Sequence, residues 1–273
     1  METEKQKHRL PTLYIPHGGG PCFFMEWTMG PANTWDNMQR WLAQLGDTIQ
    51  PVPKAIVVVS AHWETEIITI NNGAHPPMLY DYYGFPEHTY QLQYPAPGSP
   101  ALAEKIAALF SISGIASSME SERGYDHGLF IPLLLAYPNA NIPVVQVSLN
   151  KSLDPASHLQ IGRALAPLRS EGVLIIGSGM SYHNMGRLMR QDAPNRESDQ
   201  FDEWLTKICT LSATERDEQL CRWSKAPSAR DAHPREEHLL PLMVIAGAAA
   251  DDRGRRVFTD RVMGATVSAY RFG

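Results

Sequence analysis

The run Ile56–Val59 constrains the fold of this chain more than any other stretch. Consecutive β-branched residues predict a strand that is buried on both sides, as in a parallel sheet covered by helices. The run leads into Ser60–Trp63, which has the sequence Ser-Ala-His-Trp. Ligands of open α/β sheets bind beyond the carboxyl ends of the strands. His62 is therefore a candidate for chemistry, although a lone histidine at this position can equally well cap a strand.

Other apolar runs extend this pattern along the chain. Short runs predict strands at Thr12–Ile15, Glu66–Asn71, Pro143–Leu149 and Val173–Ile176, and paired strands at Arg256–Phe272. Helical spacing of apolar residues alternates with these strands. We therefore expect an α/β fold in which a mixed, mostly parallel central sheet is covered by helices on both faces. The predicted helices cover Trp35–Leu45, Pro100–Phe110, Leu129–Tyr137, Pro155–Arg169 and Leu239–Ala250, with two more within 197–226.

Length and composition indicate a single globular unit. The chain has 273 residues, and it is 43% hydrophobic and 19% charged. We expect one catalytic domain over residues 1–273, with a loose leader at Met1–Leu10. The net charge of -5 gives no indication of nucleic acid or an anionic membrane as partner. No signal peptide is evident, and the three cysteines form no Cys-x-x-Cys pair, so we expect a cytoplasmic protein without a sulfur-ligated metal. The oligomeric state is not predicted.

A long segment at Asn72–Pro100 is rich in proline, glycine and tyrosine. Loops of this length inside a compact domain are uncommon and usually functional. The segment can form a lid or a wall of a pocket, or it can be an ordered surface loop packed by its own aromatic side chains. His75 and His88 lie within it and are weaker candidates for lining a pocket.

Histidines at the ends of predicted elements are the main functional signal. Imidazole is a good ligand for zinc and for ferrous iron. Histidine also exchanges protons near neutral pH. A cluster of histidines can therefore bind a metal and supply acid/base groups together. Of the ten histidines in the chain, those at element termini are His17, His62, His127, His183 and His238.

An esterase is the main alternative from the residues alone. His17 and the glycines that follow it are similar to the oxyanion-hole loop of α/β-hydrolase esterases. Such enzymes also need a Gly-x-Ser-x-Gly elbow. Neither Ser178 nor Ser181 lies in that pattern, so the esterase hypothesis is weak.

Six short motifs follow one another along the chain: His17–Pro21, Ser60–Trp63, Tyr94–Pro100, Asp126–Gly128, Gly177–Gly179 with His183-Asn184, and Glu237-His238. In this order they resemble the class III extradiol ring-cleavage dioxygenases, in particular the 4,5-DOPA dioxygenase-like branch. The resemblance extends from about Pro11 to Phe272.

The resemblance implies one divalent metal per chain, with Fe(II) expected for activity and Zn(II) possible. It implies that His17, His62 and His238 are metal ligands and that Glu236 or Glu237 can contribute. His183 would be a fourth ligand or an acid/base group beside the metal. His127 would be the acid/base residue near the substrate, and the neighbouring Asp126 carboxylate can raise its pKa.

The reaction implied by the resemblance is cleavage of a catechol-type, DOPA-like ring by O2 to a muconate semialdehyde. The alternative within the same superfamily is a non-catalytic or zinc-bound binding protein. Substrate-binding residues are not predicted. Four aromatic neighbours of the motifs can face a ring, although core packing is the commoner role for each: Trp63, Tyr125, Phe130 and Tyr182.

Overall fold

The strand predicted from the Ile56 run lies at the centre of the molecule. A computed structural model describes residues 9–190 and 196–273. Within these residues one sheet has eight strands, in the order β4-β3-β5-β2-β6-β1-β8-β7. The strands are β1 (Thr12–Pro16), β2 (Ala55–Thr65), β3 (Ile68–Asn71), β4 (Ser117–Glu120), β5 (Val144–Asn150), β6 (Val173–Gly179), β7 (Gly254–Val262) and β8 (Ala265–Phe272).

Helices connect and cover these strands. Side chains cap two of the helices that matter for the site: Ser99 accepts a hydrogen bond from the amide of Leu102 in α2, and Asp126 accepts one from the amide of Leu129 in α3. The helices in the described residues are α1 (Asp36–Leu45), α2 (Pro100–Ile112), α3 (His127–Ala136), α4 (Pro155–Leu165), α5 (Met185–Leu188), α6 (Arg196–Cys209), α7 (Ala213–Cys221), α8 (Ala229–Ala232) and α9 (Leu240–Ala249).

The register of the central strands brings their carboxyl ends to one edge. Strands β2, β6 and β1 are parallel neighbours, with Ser60 opposite Ser178 and Pro16 opposite Gly179. Strands β8 and β7 extend the sheet in antiparallel pairing, and β3 pairs antiparallel with β5. The prediction of a mixed, mostly parallel sheet is confirmed.

Successive residues of β6 show that both faces of the sheet are covered. The side chain of Ser178 donates a hydrogen bond to the carbonyl of Gly128 in α3. A Cβ atom on the preceding residue, Gly177, would lie 2.5 Å from the carbonyl oxygen of Pro241 in α9. Because side chains alternate along a strand, α3 and α9 lie on opposite faces. The buried β-branched run is explained by this double cover.

Two details differ from the predictions. Strand β4 was not predicted, and its residues are mostly half-buried or exposed, so it carries a weak apolar pattern at the edge of the sheet. Most of the predicted leader lies outside the described residues, but Leu10 is buried, and its carbonyl accepts a hydrogen bond from Arg169 at 2.7 Å. The last residue of the leader is therefore part of the core.

Candidate metal centre and active site

The five predicted histidines come together at the carboxyl edge of the sheet. His17 follows β1 directly, His62 lies near the end of β2, and His183 follows β6. His127 is the first residue of α3, and His238 lies two residues before α9. Parallel pairing of β1, β2 and β6 places their ends side by side, which explains why residues distant in sequence meet here.

His17, His62 and His238 form the centre of this cluster. One ring nitrogen of each lies within 4.8 Å of the others. The Nε2 atoms of His17 and His62 are 3.2 Å apart. Metal–nitrogen bonds of about 2 Å place neighbouring ligand atoms about 3 Å apart, so this spacing fits two ligands of one ion.

Hydrogen bonds orient two of these rings. The Nδ1 atom of His17 lies 2.9 Å from the carbonyl oxygen of Gly18, and the Nδ1 atom of His238 lies 3.0 Å from Oε1 of Glu237. Both partners are acceptors, so each Nδ1 carries the proton and each Nε2 has a free lone pair. Nε2 of His238 is buried without a hydrogen-bond partner among the described residues. A buried lone pair without a partner is costly, and a metal ion would satisfy it.

Burial keeps these imidazoles in the form that binds metals. Burial, followed by the charges of the neighbouring histidines, lowers the pKa of His17 and of His238 well below the usual value. The same causes lower the pKa of His62 to about 3, although Asp81 opposes the shift. The three rings are neutral at pH 7, which is the protonation state required of a ligand. The residues present therefore fit a divalent metal.

His183 lies beside this group rather than within it. Its ring stacks on that of His238, with centroids 3.4 Å apart, and its Nδ1 is 3.5 Å from Oε1 of Glu237. His183, Glu237 and His238 form an adjoining group that could also hold a metal ion. The geometry is compatible with both of the roles predicted for His183, and it identifies Glu237, rather than Glu236, as the carboxylate that contacts the cluster. Glu236 instead pairs with Arg230 at 2.7 Å.

His127 is bound to a residue that the sequence did not single out. The Nδ1 atom of its ring lies 2.8 Å from Oδ1 of Asp81, and its ring centroid is 3.9 Å from that of His62. Burial alone would raise the pKa of Asp81, but the hydrogen bonds and charge of His127 outweigh it, and the net pKa is lowered. Asp81 lies in the long segment before α2, where nothing in the local pattern marks it.

Asp126, the expected partner of His127, is engaged elsewhere. Its Oδ1 accepts hydrogen bonds from Ser60 at 2.7 Å and from the amide of Leu129 at 3.2 Å. Its Oδ2 accepts from Arg123 at 3.2 Å and from Gln146. Asp126 therefore anchors the start of α3 to β2, and the carboxylate hydrogen-bonded to the His127 ring is Asp81.

The close approach of α3 to β2 requires glycine at position 128. A Cβ atom there would lie 2.5 Å from Oγ of Ser60 and 2.9 Å from Cδ2 of His62. Real Cβ atoms essentially never come so close. The space beside this glycine is filled by Ser60 and His62 and is not open to a substrate. Gly128 instead lets His127 lie beside a predicted metal ligand.

A largely apolar cavity opens onto the histidines. It has a volume of about 280 Å³, and its wall includes His17, His62, His127 and His183. Tyr82 and Phe85 of the long segment also line it, which supports the prediction that this segment forms a pocket wall. Further lining residues are Trp27, Trp35, Met180, Met185, Leu188 and Met263.

The weaker candidates lie away from this cavity. Tyr125 is buried and donates a hydrogen bond to the carbonyl of Val144 at 3.0 Å, while Trp63 packs under Arg123. Phe130 and Tyr182 are buried and are not among the lining residues. His75 is exposed, and the exposed His88 contacts the carbonyl of Phe24 at 2.9 Å. The aromatic neighbours of the motifs therefore pack in the core.

The two serines of the esterase hypothesis do not form a nucleophile. Ser178 is fully buried and donates its hydroxyl proton to the carbonyl of Gly128. Ser181 is also buried, and its hydroxyl oxygen accepts a hydrogen bond from the amide of Ser268 at 2.8 Å. Neither hydroxyl lines the histidine cavity.

Comparison with known proteins agrees with this geometry. The family described as the catalytic LigB subunit of aromatic ring-opening dioxygenase matches residues 11–272. The chain is 36% identical to the dioxygenase tasH of Hapsidospora irregularis, over 96% of this chain and 85% of that protein. It is 44% identical to the 4,5-DOPA dioxygenase extradiol of Beta vulgaris, over 73% of this chain and 75% of that protein.

Two bacterial matches, one of them a solved structure, extend the comparison. The chain is 35% identical to the 4,5-DOPA dioxygenase extradiol of Escherichia coli K12, over 88% of this chain and 85% of that protein. The crystal structure of uncharacterized protein JW3007 from Escherichia coli K12 superposes with a TM-score of 0.77 at 30% identity, covering 97% of this chain and all of that one.

The chain belongs to the LigB family of aromatic ring-opening dioxygenases. Within this family it is an extradiol ring-cleavage dioxygenase, as the resemblance implied. Enzymes of this family depend on a metal, and the histidine cluster is the site in the described residues that can hold it. Among the described helices, none is both long and apolar enough to cross a membrane.

Proposed function

We propose that the protein cleaves the ring of a catechol with O2 at a ferrous ion held by His17, His62 and His238. The observation that carries the proposal is the convergence of three neutral ring nitrogens, one of them the unpartnered, buried Nε2 of His238. Imidazole also suits zinc, but zinc has no redox chemistry, so a zinc-bound form would bind the catechol without cleaving it.

Ferrous iron at this site would supply the Lewis acidity that lowers the pKa of the catechol hydroxyls and the electron transfer that lets the ring react with O2. The residues of the chain supply the proton transfers. Nδ1 of His127 is hydrogen-bonded to Asp81, so its Nε2 is free to take a proton from a catechol hydroxyl and later return it. The ring opens beside the diol, which yields a muconate semialdehyde.

The cavity walls would position the substrate and exclude water. Tyr82, Phe85 and Trp27 are aromatic side chains around the histidines, and aromatic rings pack against one another in stacked or edge-on arrangements. A volume of about 280 Å³ suits a single-ring catechol. A DOPA-like substrate is our first candidate, since several relatives carry 4,5-DOPA in their names.

Anaerobic reconstitution with ferrous iron tests the proposal. The loaded protein is mixed with a panel of catechols that includes DOPA, and both oxygen uptake and the yellow absorbance of the ring-opened product are recorded. Zinc-loaded protein is the matched control and should bind catechol without consuming oxygen. Absence of oxygen uptake with every catechol tested would contradict the proposal.

We also propose that His183 acts either as a fourth ligand or as an acid/base group.

We propose a cytoplasmic location for the protein. The three cysteines are free, as expected in a reducing compartment. The substrates are a small catechol and O2. The negative net charge provides no support for nucleic acid or an anionic membrane as a partner.

A further inference from the structure

The carboxylate of Asp81 lies between two histidines of the site. Its Oδ1 accepts a hydrogen bond from the backbone amide of His127 at 2.9 Å and contacts Nδ1 of the same residue at 2.8 Å. Its Oδ2 lies 3.8 Å from Nδ1 of His62. One side chain from the long segment thus faces both the proposed acid/base residue and a proposed metal ligand.

The double contact with His127 fixes the tautomer of the ring. An amide N–H can only donate, so Oδ1 of Asp81 acts as an acceptor in the contact with the backbone. An ionised carboxylate has no proton to give, so Nδ1 of His127 must carry the proton in the second contact. The ring is then left with a lone pair on Nε2, and His127 is one of the residues that line the cavity.

The same segment forms part of the cavity wall. Tyr82 follows Asp81, lines the cavity, and donates its hydroxyl proton to the carbonyl of Thr89 at 2.6 Å. Phe85 lies against the glycine turn after β1, where a Cβ on Gly20 would be 3.1 Å from its ring. The position of Asp81 is therefore set by the packing of the segment against the site.

We propose that Asp81 is a positioning residue that holds His127 with its proton on Nδ1 and its Nε2 turned toward the substrate. The inference rests on the proposed function of His127. Asp81 and Tyr82 are adjacent in the long segment. The same segment therefore forms a wall of the cavity through Tyr82 and orients His127 through Asp81. A displaced segment would leave a ring free to rotate and to adopt either tautomer.

Ring nitrogen spectra of the zinc-loaded protein test this without any turnover. Proton–nitrogen correlation of the imidazole rings distinguishes a proton on Nδ1 from one on Nε2, and the His127 signals are those missing from His127→Gln. We expect the Nδ1–H form in the native protein and a mixture of both forms in Asp81→Ala. Asp81→Leu, which keeps the side-chain volume, gives the same test if the alanine variant folds poorly.

Two further variants make the comparison specific. Asp81→Asn keeps an oxygen that can accept from Nδ1, so it should recover much of the native spectrum. Glu87→Ala removes an exposed carboxylate from the same segment and should leave the spectrum unchanged. An Nδ1–H form that persists fully in both Asp81→Ala and Asp81→Leu would overturn the proposal.

Kinetics of the iron-loaded variants provide the second readout. Asp81→Ala should lower kcat by about 10- to 100-fold while metal content and the KM for the catechol change little. Asp81→Asn should lie between this variant and the native protein. His62, Asp81 and His127 are close enough together to hold a metal ion. If Asp81→Ala instead loses its metal, Asp81 is a ligand and the proposal is wrong. If no form of the protein consumes oxygen, the proposed function fails, while the ring spectra still decide the Asp81–His127 relationship.

Discussion

The ring of His183 stacks on that of His238, with the two planes only 15° from parallel and the centroids 3.4 Å apart. Oε1 of Glu237 lies 3.0 Å from Nδ1 of His238 and 3.5 Å from Nδ1 of His183, so one carboxylate oxygen faces both rings. Glu237 is held in turn by Arg235 at 3.3 Å, and Arg235 pairs with Glu64 at the end of β2. This chain of ion pairs ties the segment before α9 to the strand that carries His62.

This stack leads to a prediction for His183. Because its ring lies outside the group formed by His17, His62 and His238, we expect His183→Ala to weaken metal binding less than His238→Ala does. The dissociation constants are measured by competition with a metal-binding dye. Equal losses of affinity in the two variants would show that His183 is a full ligand.

The central three histidines give the second prediction. Substitution of His62 by alanine removes one nitrogen from the group and should reduce the metal content of the purified protein well below one equivalent. His75→Ala is the matched control, because His75 is exposed. Metal content is measured by elemental analysis after dialysis. Full metal content in His62→Ala would mean that the assignment of this ligand is wrong.

His127 gives the third prediction. His127→Gln should retain the metal and the fold but lose on the order of 10²- to 10⁴-fold in kcat, as expected when a general acid/base group is removed. Catechol binding is followed by difference absorbance under anaerobic conditions and should persist. Loss of metal would make His127 a ligand, and normal turnover would transfer the acid/base role to His183.

Much of the fold could be predicted because its signals are local. The apolar run at Ile56 predicts a strand that is buried on both faces. The alternation of strands and helices predicts a sheet covered by helices. Strand β4 was missed because it lies at the edge of the sheet and is half-exposed, so it has no need of an apolar pattern. Strand β2 extends beyond the β-branched run at Ile56–Val59, because it continues through a register shift to Thr65.

The site could be predicted only where the chain repeats one feature, a histidine near the carboxyl end of a strand. His17 and His183 follow the carboxyl end of a strand, and His62 lies near the end of β2; that position can be recognised in the sequence. Asp81 could not be found in this way, because its role arises from the packing of a long irregular segment against α3. Proximity in sequence was misleading for Asp126, which follows the geometry of a helix cap and turns away from the ring of His127.

Gly128 gives the fourth prediction. Gly128→Ala places a methyl group against Ser60 and His62, at distances that require one of them to move. Overpacking of this kind typically costs about 1–3 kcal/mol of unfolding free energy, and here it should also displace a proposed metal ligand. Chemical denaturation and metal content are both measured. Gly114→Ala is the control, because a Cβ at that position meets open space, although its positive φ adds some strain.

His233 gives a prediction for the dependence of stability on pH. Its ring is fully buried, and its Nε2 lies 3.0 Å from the carbonyl oxygen of Ser181. Burial lowers the pKa of His233 to about 3, although the hydrogen bond to Ser181 opposes the shift. In the unfolded chain the same group has a pKa near 6.5. Between these values the unfolded state binds the extra proton, so acidification favours unfolding.

The size of the effect follows from the two pKa values. Between pH 7.5 and pH 5.5 the protonation of this one group in the unfolded chain should remove about 1.4 kcal/mol of stability, and further loss continues toward pH 3. His233→Phe keeps an aromatic ring between Phe201 and Trp223 but cannot bind a proton. The unfolding free energy is measured by urea denaturation of the metal-free protein. Between pH 7.5 and pH 5.5 it should fall by about 1.4 kcal/mol less in His233→Phe than in the native protein. Equal slopes in the native protein and the variant would show that the buried His233 ring is not the source of the acid sensitivity.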